Sequence, residues 1–262
     1  MADWNPVQYR RFATERAQPF HDLLALIERE GLKRAVDLGC GPGELTALAA
    51  EQLGVGEMIG IDNSRSMLDK TGEHASDHVR FEFGDIGAWT SNAAYDLVLA
   101  AASLQWVADH ASVIGRWTAA LRAGGQIAIQ VPANAGMPSH TVAQRVADRE
   151  PYLSLFGPDG PPIDPVQAYV LEPEEYARIL YDLGFERQHV RLQVYPHVLA
   201  STRDVVEWVR GTTLTRFEKR LDPAAFESFV ADYETELLGE IGNHAPHFFP
   251  FRRILMWACL PG

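Results

Sequence analysis

The residues whose types and spacing could do chemistry lie in Val36-Asp37-Leu38-Gly39-Cys40-Gly41-Pro42-Gly43-Glu44. An apolar run ends, three glycines follow at alternate positions, and a helix-forming segment begins. Glycine lets the backbone come close to a ligand and accepts the positive φ of a tight turn. The bare N–H groups at a helix start then face a polar ligand. Asp62 stands 25 residues beyond Asp37, at the end of the next apolar run. There a carboxylate can receive both hydroxyls of a ribose. The combination predicts a nucleoside-bearing cofactor.

Two cofactor classes compete for such a turn. A dinucleotide fingerprint needs G-x-G-x-x-G. Here the spacing is G-x-G-x-G, and Glu44 occupies the place of the third glycine. Its charge would repel a pyrophosphate. Asp37, by contrast, suits a positively charged amino group, and a sulfonium cofactor needs no phosphate cradle. The residues therefore favour S-adenosylmethionine over a nicotinamide dinucleotide.

These groups need a frame to hold them. Arg34–Leu38 reads as a buried strand and Glu44–Leu53 as a helix. Met58–Ile61 is a second strand ending at Asp62, and Ser64 is placed to cap a helix with Met67 and Leu68 inward. Val79–Phe83 alternates with period two and ends at Asp85. Leu97–Ala100 is a continuous apolar run of the central-strand kind. A helix over 111–121 is predicted to stop at a Gly124-Gly125 C-cap, before a strand at Ile127–Val131. Strand and helix alternating at this spacing predict an α/β fold with a parallel sheet covered on both faces.

After Pro132 the rhythm breaks. Residues 133–172 are rich in Pro and Gly, with an amphipathic segment at His140–Arg149, and so long an interruption predicts a lid or binding loop. The pattern resumes with Pro173 at the first position of a helix that turns Tyr176, Ile179, Leu180 and Leu183 inward and stops at Gly184. A strand follows at Val190–Tyr195. A second, helical insertion covers 197–250. There Thr202 is predicted to cap one helix, and Asp222-Pro223 opens another with Phe226, Phe229, Val230, Tyr233 and Leu237 on one stripe. The last strand is Ile254–Ala258.

Composition bounds the function. The chain has 262 residues, 47% hydrophobic and 22% charged, which is ordinary globular composition. Its net charge of −12, without a basic block, argues against nucleic acid as a partner. Any attraction for an anion must be local. Cys40 and Cys259 have no metal-ligand spacing, so no zinc site is expected, and two reduced thiols suit a cytoplasmic enzyme. The longest uncharged run, Ala123–Gln144, carries Gly, Pro, Asn134 and His140 and cannot span a bilayer. The first residues, Met1 to Pro6, lack the pattern of a signal peptide.

Asp37-Leu38-Gly39-Cys40-Gly41-Pro42-Gly43, Gly60-Ile61-Asp62-Asn63-Ser64, Gly84-Asp85-Ile86 and Asp96-Leu97-Val98 resemble the sequential motifs of the class I S-adenosylmethionine-dependent methyltransferases. The likeness covers residues 34–132. It implies a Rossmann-like, seven-stranded, mostly parallel sheet whose last strand is antiparallel. It implies that Asp62 binds ribose, that Asp85 and Ile86 bind adenine, and that Ala101 to Leu104 underlie the methionine moiety. The cofactor set expected on this basis is Tyr9, Asp37, Gly39, Gly41, Gly43, Asp62, Asn63, Met67, Asp85, Ile86, Ala101 and Ser103.

Further elements, Asp3-Trp4-Asn5-Pro6 with Tyr9 and Phe12, Ala102-Ser103-Leu104-Gln105-Trp106, Asp109-His110, Glu207-Trp208-Val209 and Phe249-Pro250, are similar to the trans-aconitate methyltransferase family. Ser-Leu-Gln-Trp also recurs in enzymes that methylate malonyl thioesters, and residues 157–165 match nothing in the pattern. The resemblance implies a small polycarboxylate substrate and one domain. In it, 1–33 would form a lid, 34–132 the cofactor core, 133–172 and 197–250 cap insertions, and 173–196 with 251–262 would complete the sheet.

Each residue has a plainer reading as well. Trp4, Tyr9 and Phe12 form either a packed helix face or a lid that excludes water. Gln105 and Trp106 are either core or cleft lining at a strand's carboxyl end. Asp109-His110 reads as a helix cap, and His74 with His78 as a solvated helix face. Arginine holds carboxylates with two parallel bonds, so Arg10, Arg16, Arg210, Arg216, Arg252 and Arg253 are the candidate clamps, with Trp208 beside them. Arg252 and Arg253 are the first choices for positioning the acceptor. A hydroxyl or amine acceptor, a malonyl thioester, and a noncatalytic S-adenosylmethionine-binding protein remain alternatives.

Overall fold

The computed structural model describes residues 13–262, with side chains from residue 17. The expectations for Trp4, Tyr9, Arg10, Phe12 and the Arg16 side chain fall outside that description. The described chain divides into two compact units. A sheet unit holds Ala17–Pro132, Tyr169–Gln193 and Arg253–Gly262. A helical unit holds Ala133–Ala168 and Val194–Arg252.

The sheet has seven strands: β1 (Arg34–Leu38), β2 (Glu57–Asp62), β3 (Val79–Phe83), β4 (Tyr95–Ala101), β5 (Leu121–Pro132), β6 (Arg187–Leu199) and β7 (His247–Cys259). Their order is β3-β2-β1-β4-β5-β7-β6. β1 pairs in parallel with β2 and β4, and β7 runs antiparallel to β5, as the sequence implied. Leu97 to Ala100 lie in the central strand and are fully buried, which explains why that run is apolar throughout. Chain order reverses between β1 and β4. Such a switch point opens a crevice at the carboxyl ends of both strands.

Helices lying wholly or mainly in this unit are α1 (Ala13–Leu24), α2 (Glu44–Leu53), α3 (Arg65–Leu68), α4 (His110–Ala119) and α8 (Pro173–Asp182). Phe20, Leu23, Ala49, Leu53, Met58, Leu97 and Leu255 share its core. Pro173 starts α8, and Glu172 and Glu175 form a reciprocal capping box there. Cys40 and Cys259 are buried free thiols.

The helical unit contains α5 (Pro138–Ala147), α6 (Tyr152–Leu155), α7 (Pro165–Tyr169, entering the sheet unit at its last residue), α9 (Arg203–Arg210), α10 (Thr215–Glu218) and α11 (Pro223–Ile241). It has a separate core in which Val142, Val146, Trp208, Phe217, Phe229 and Tyr233 meet. Asp222 accepts hydrogen bonds from the Ala224 and Ala225 N–H groups and starts α11. Such a cap stabilises by about 1 kcal/mol. The predicted apolar stripe of α11 is buried as read.

Four local expectations need correction. Gly124-Gly125 does not cap α4, which ends at Ala119 on a right-handed Ala120. Gly124 instead takes φ +71° inside β5, where the register with β4 shifts and its N–H reaches Pro261. A bulge used the glycine that a helix end would also have used. The Thr202 hydroxyl does not cap α9, because it is engaged with His244. Ser64 precedes α3 without a side-chain cap and faces Ser66. His74 and His78 share no helix: the turn ends at Glu73, and His78 Nδ1 faces the Gly56 carbonyl. Among the described residues no helix is long and apolar enough to cross a membrane, and no cluster of His, Cys, Asp and Glu could hold a metal.

Candidate active site

The glycine turn begins where β1 ends. Asp37 is only 3% exposed. Its Oδ2 accepts a 2.6 Å hydrogen bond from Thr46 Oγ1 on α2, while its Oδ1 is buried with no partner. Burial raises its carboxyl to about 6, with Asp62 adding and Thr46 opposing. A buried acceptor left bare is costly unless something completes it. A cationic amino group is the partner whose charge this oxygen matches.

Two glycines in the turn have a steric reason. Gly39 takes φ +89°, and a Cβ there would lie 2.2 Å from Ser103 Cβ. Ser103 in turn donates through Oγ to the Leu38 carbonyl, which ties the ends of β1 and β4 together. Gly43 takes φ +89° at the start of α2, where a Cβ would strike the Phe81 ring at 2.7 Å. A Cβ at Gly41 would meet nothing, so there the positive φ of +55°, not crowding, favours glycine.

Asp62 ends β2 and shapes the same turn. Its Oδ2 accepts from the Gly41 N–H at 2.9 Å and its Oδ1 from the Ser64 N–H at 2.8 Å. Each carboxylate oxygen keeps a second lone pair, so the group can still receive two hydroxyls. Asp85 follows β3, is exposed, and accepts from the Gly87 N–H. Ile86 beside it is buried, and its carbonyl takes the Trp117 indole N–H. Asn63 is exposed and Met67 half-buried. These residues of the sheet unit fit S-adenosylmethionine: an orphan anionic oxygen, a glycine turn closed to side chains at Gly39 and Gly43, and an acidic strand end.

After β4 the chain makes a tight passage. Ala101 is half-buried and Ala102 adopts φ +57°, a strained value for a residue with a Cβ. Gln105 is buried, donates to the Ala102 carbonyl, and leaves Oε1 bare. Trp106 is 56% exposed. It is not core filler.

The arginines separate by environment. Arg210 is paired with Glu227 on the helical unit's surface. Arg216 is 11% exposed; its Nη1 donates to Asp164 Oδ2 and to the Thr213 carbonyl, while Nε and Nη2 are buried without partners. His140 Nδ1 lies 2.8 Å from the same Asp164 oxygen, which is held below the usual carboxylate range by His140 and Arg216 against the opposing effect of burial. Arg252 is half-buried, and its backbone N–H donates to Asn134 Oδ1. Arg253 is half-buried and also engaged. Trp208 departs from the expectation of a ligand-facing residue: it is 2% exposed and packs edge-on or tilted against Phe249, Phe251 and His197 in the helical core.

Several of these residues escaped the sequence reading. Thr46, His140 and Asp164 carry no motif, and their roles depend on partners distant in the chain. Only Thr46 had a local signal, as a polar residue among the apolar positions of α2.

Residues 30–160 match a family model described as a methyltransferase domain. The chain is 39% identical to the trans-aconitate 2-methyltransferase of Variovorax paradoxus strain S110, covering 89% of this chain and 88% of that one. It is 37% identical to the trans-aconitate 2-methyltransferase of Mycobacterium sp. strain KMS, over 97% and 98% of the two chains. Among solved structures it is similar to the YcgJ protein of Bacillus subtilis, with a TM-score of 0.60, 16% identity, and coverage of 93% and 98%.

Proposed function

Because the chain belongs to the trans-aconitate 2-methyltransferase family of S-adenosylmethionine-dependent methyltransferases, we infer that it transfers a methyl group to a carboxylate of trans-aconitate and forms a monomethyl ester. The observation that carries this reading is the reach of the identity. It runs over 97% of the chain and so includes the segments outside the cofactor core, where acceptor choice is decided. When bound, S-adenosylmethionine supplies an electrophilic methyl group on a cationic sulfur, and S-adenosylhomocysteine is the product.

The residues divide the work as follows. Asp37 holds the cofactor's amino group through Oδ1, and Asp62 takes the ribose hydroxyls. Asp85 and Ile86 hold the adenine, and Gly39, Gly41 and Gly43 admit the methionine end beside Ala101 and Ser103. The acceptor carboxylate is already ionised at neutral pH, so no general base is required. Rate then depends on alignment and exclusion of water. Gln105 and Trp106 line the acceptor's place. The arginines, Arg252 and Arg253 first, hold the carboxylates that do not react. The bare edge of Arg216 supports it in the same role, since Nε and Nη2 present two parallel N–H groups of the kind a carboxylate meets. Arg210, already paired, has less to offer.

Both units are read as parts of one methyltransferase domain, with the insertions at 133–172 and 197–250 supplying acceptor-binding residues. The charge of −12 supports a small-molecule acceptor over nucleic acid. The two buried thiols suit the reducing cytoplasm. The test is incubation of the purified protein with methyl-labelled cofactor and trans-aconitate, read by mass spectrometry. A monomethyl ester is expected. Transfer only to a malonyl thioester, a hydroxyl or an amine would refute the acceptor, and cofactor binding without any transfer would refute the activity.

A further inference from the structure

The passage from β4 to α4 is held by a buried relay that the cofactor motifs do not use. His110 Nε2 lies 3.0 Å from the Leu104 carbonyl, and its Nδ1 lies 2.7 Å from the Tyr176 hydroxyl. A carbonyl can only accept, so Nε2 carries the proton and Nδ1 is the acceptor. Tyr176 therefore donates its O–H to Nδ1, and its oxygen receives the Leu171 N–H at 3.2 Å. Every donor in the chain from Leu171 to Leu104 is satisfied. The rings of His110 and Tyr176 also stack, with centroids 5.8 Å apart. Burial holds His110 below its usual range, which keeps this tautomer neutral and fixed near pH 7.

What the relay grips is the turn Leu104–Trp106. That turn is bracketed by two strained residues, Ala102 at φ +57° and Asp109 at φ +55°. Neither is glycine, so each conformation must be imposed by its surroundings. On one side Gln105 ties back to the Ala102 carbonyl. On the other, Asp109 caps α4 through the Ser112 N–H, and His110 next to it reaches back to Leu104. Strain held from both sides, one of them the satisfied buried His110–Tyr176 relay, is what a positioned functional loop requires.

We propose that His110 and Tyr176 are positioning residues for methyl transfer, holding the Leu104–Trp106 turn so that Gln105 and Trp106 present a fixed wall to the acceptor. This rests on the trans-aconitate reading above. Neither side chain touches a reacting atom. Its effect is on alignment, where a displacement of about 1 Å can cost about 100-fold in rate.

The test compares the wild type with Tyr176→Phe, His110→Phe and His110→Gln, using trans-aconitate kinetics and calorimetric cofactor binding. Tyr176→Phe and His110→Phe should lower kcat about tenfold or more and raise KM for trans-aconitate, with cofactor Kd within about twofold. His110→Gln keeps an N–H for the Leu104 carbonyl and should recover most of kcat. Variants that lose thermal stability but keep kcat and KM would overturn the proposal, as would loss of cofactor affinity in step with kcat. If His110→Phe does not fold, the milder Tyr176→Phe decides alone. A wild type that does not methylate trans-aconitate refutes the functional reading instead, so the two failures are distinct.

Discussion

Asp37→Asn should make the cofactor-free protein more stable above pH 6 while removing its hold on the cofactor. In the folded chain the Asp37 carboxyl titrates at about 6, against 3.8 for an ordinary aspartate, mainly because it is buried. That difference is about two units, or about 3 kcal/mol of ionisation cost in the folded state. The folded value is the raised one. The cost is therefore absent below pH 4, grows as pH rises from 4 to 6, and is complete above. Asparagine never ionises and can still accept the Thr46 hydrogen bond. The stability difference between variant and wild type should thus be small near pH 4 and reach about 3 kcal/mol by pH 7. Urea unfolding of both proteins across that range reads it directly, because titrations common to both cancel. Calorimetry reads the other half. Binding a cationic amino group requires the ionised carboxylate, so wild-type affinity should fall about tenfold per unit below pH 6 and level off above. The variant should bind about 100-fold more weakly at pH 8, equivalent to about 3 kcal/mol for a charged hydrogen bond lost in a buried site. Parallel stability curves from pH 4 to 7, or cofactor binding by the variant within about threefold of wild type, would refute the assignment of Oδ1.

Asp62→Ala removes the acceptor of the Gly41 and Ser64 N–H groups along with the proposed ribose contact; a loss of about 2–4 kcal/mol in cofactor affinity is expected by calorimetry. Gly39→Ala places a Cβ 2.2 Å from Ser103 Cβ at φ +89°, so denaturant unfolding should show a loss of about 2 kcal/mol or more, partly recovered in Gly39→Ala with Ser103→Gly. Phe229→Ala opens a hole at a fully buried position between Phe217 and Tyr152. Urea unfolding should report a cost of about 3–5 kcal/mol.

Much of the cofactor half was legible in the letters alone. The glycine spacing, Asp62 at a strand end, the apolar run of β4, the Asp222 cap and the stripe of α11 are local patterns, and backbone geometry acts locally. A turn that needs positive φ selects glycine wherever it occurs, and an apolar period of 3.6 marks a buried helix face. Gly124 shows the limit of that logic: a glycine before a strand serves a helix end or a bulge equally well, and the β4–β5 register decided for the bulge. The environments of the candidate acceptor residues depended on partners far apart in sequence. Arginine reads the same whether it is paired on a surface, as Arg210 is with Glu227, or buried with one edge bare, as Arg216 is beside Asp164. Trp208 in a functional-looking motif is core, while Trp106 is exposed. His110 meets Tyr176 across 66 residues. Which side chains meet, which donors stay bare and which carboxyl is desolvated are properties of packing. They arise only when distant segments close on one another and exclude water.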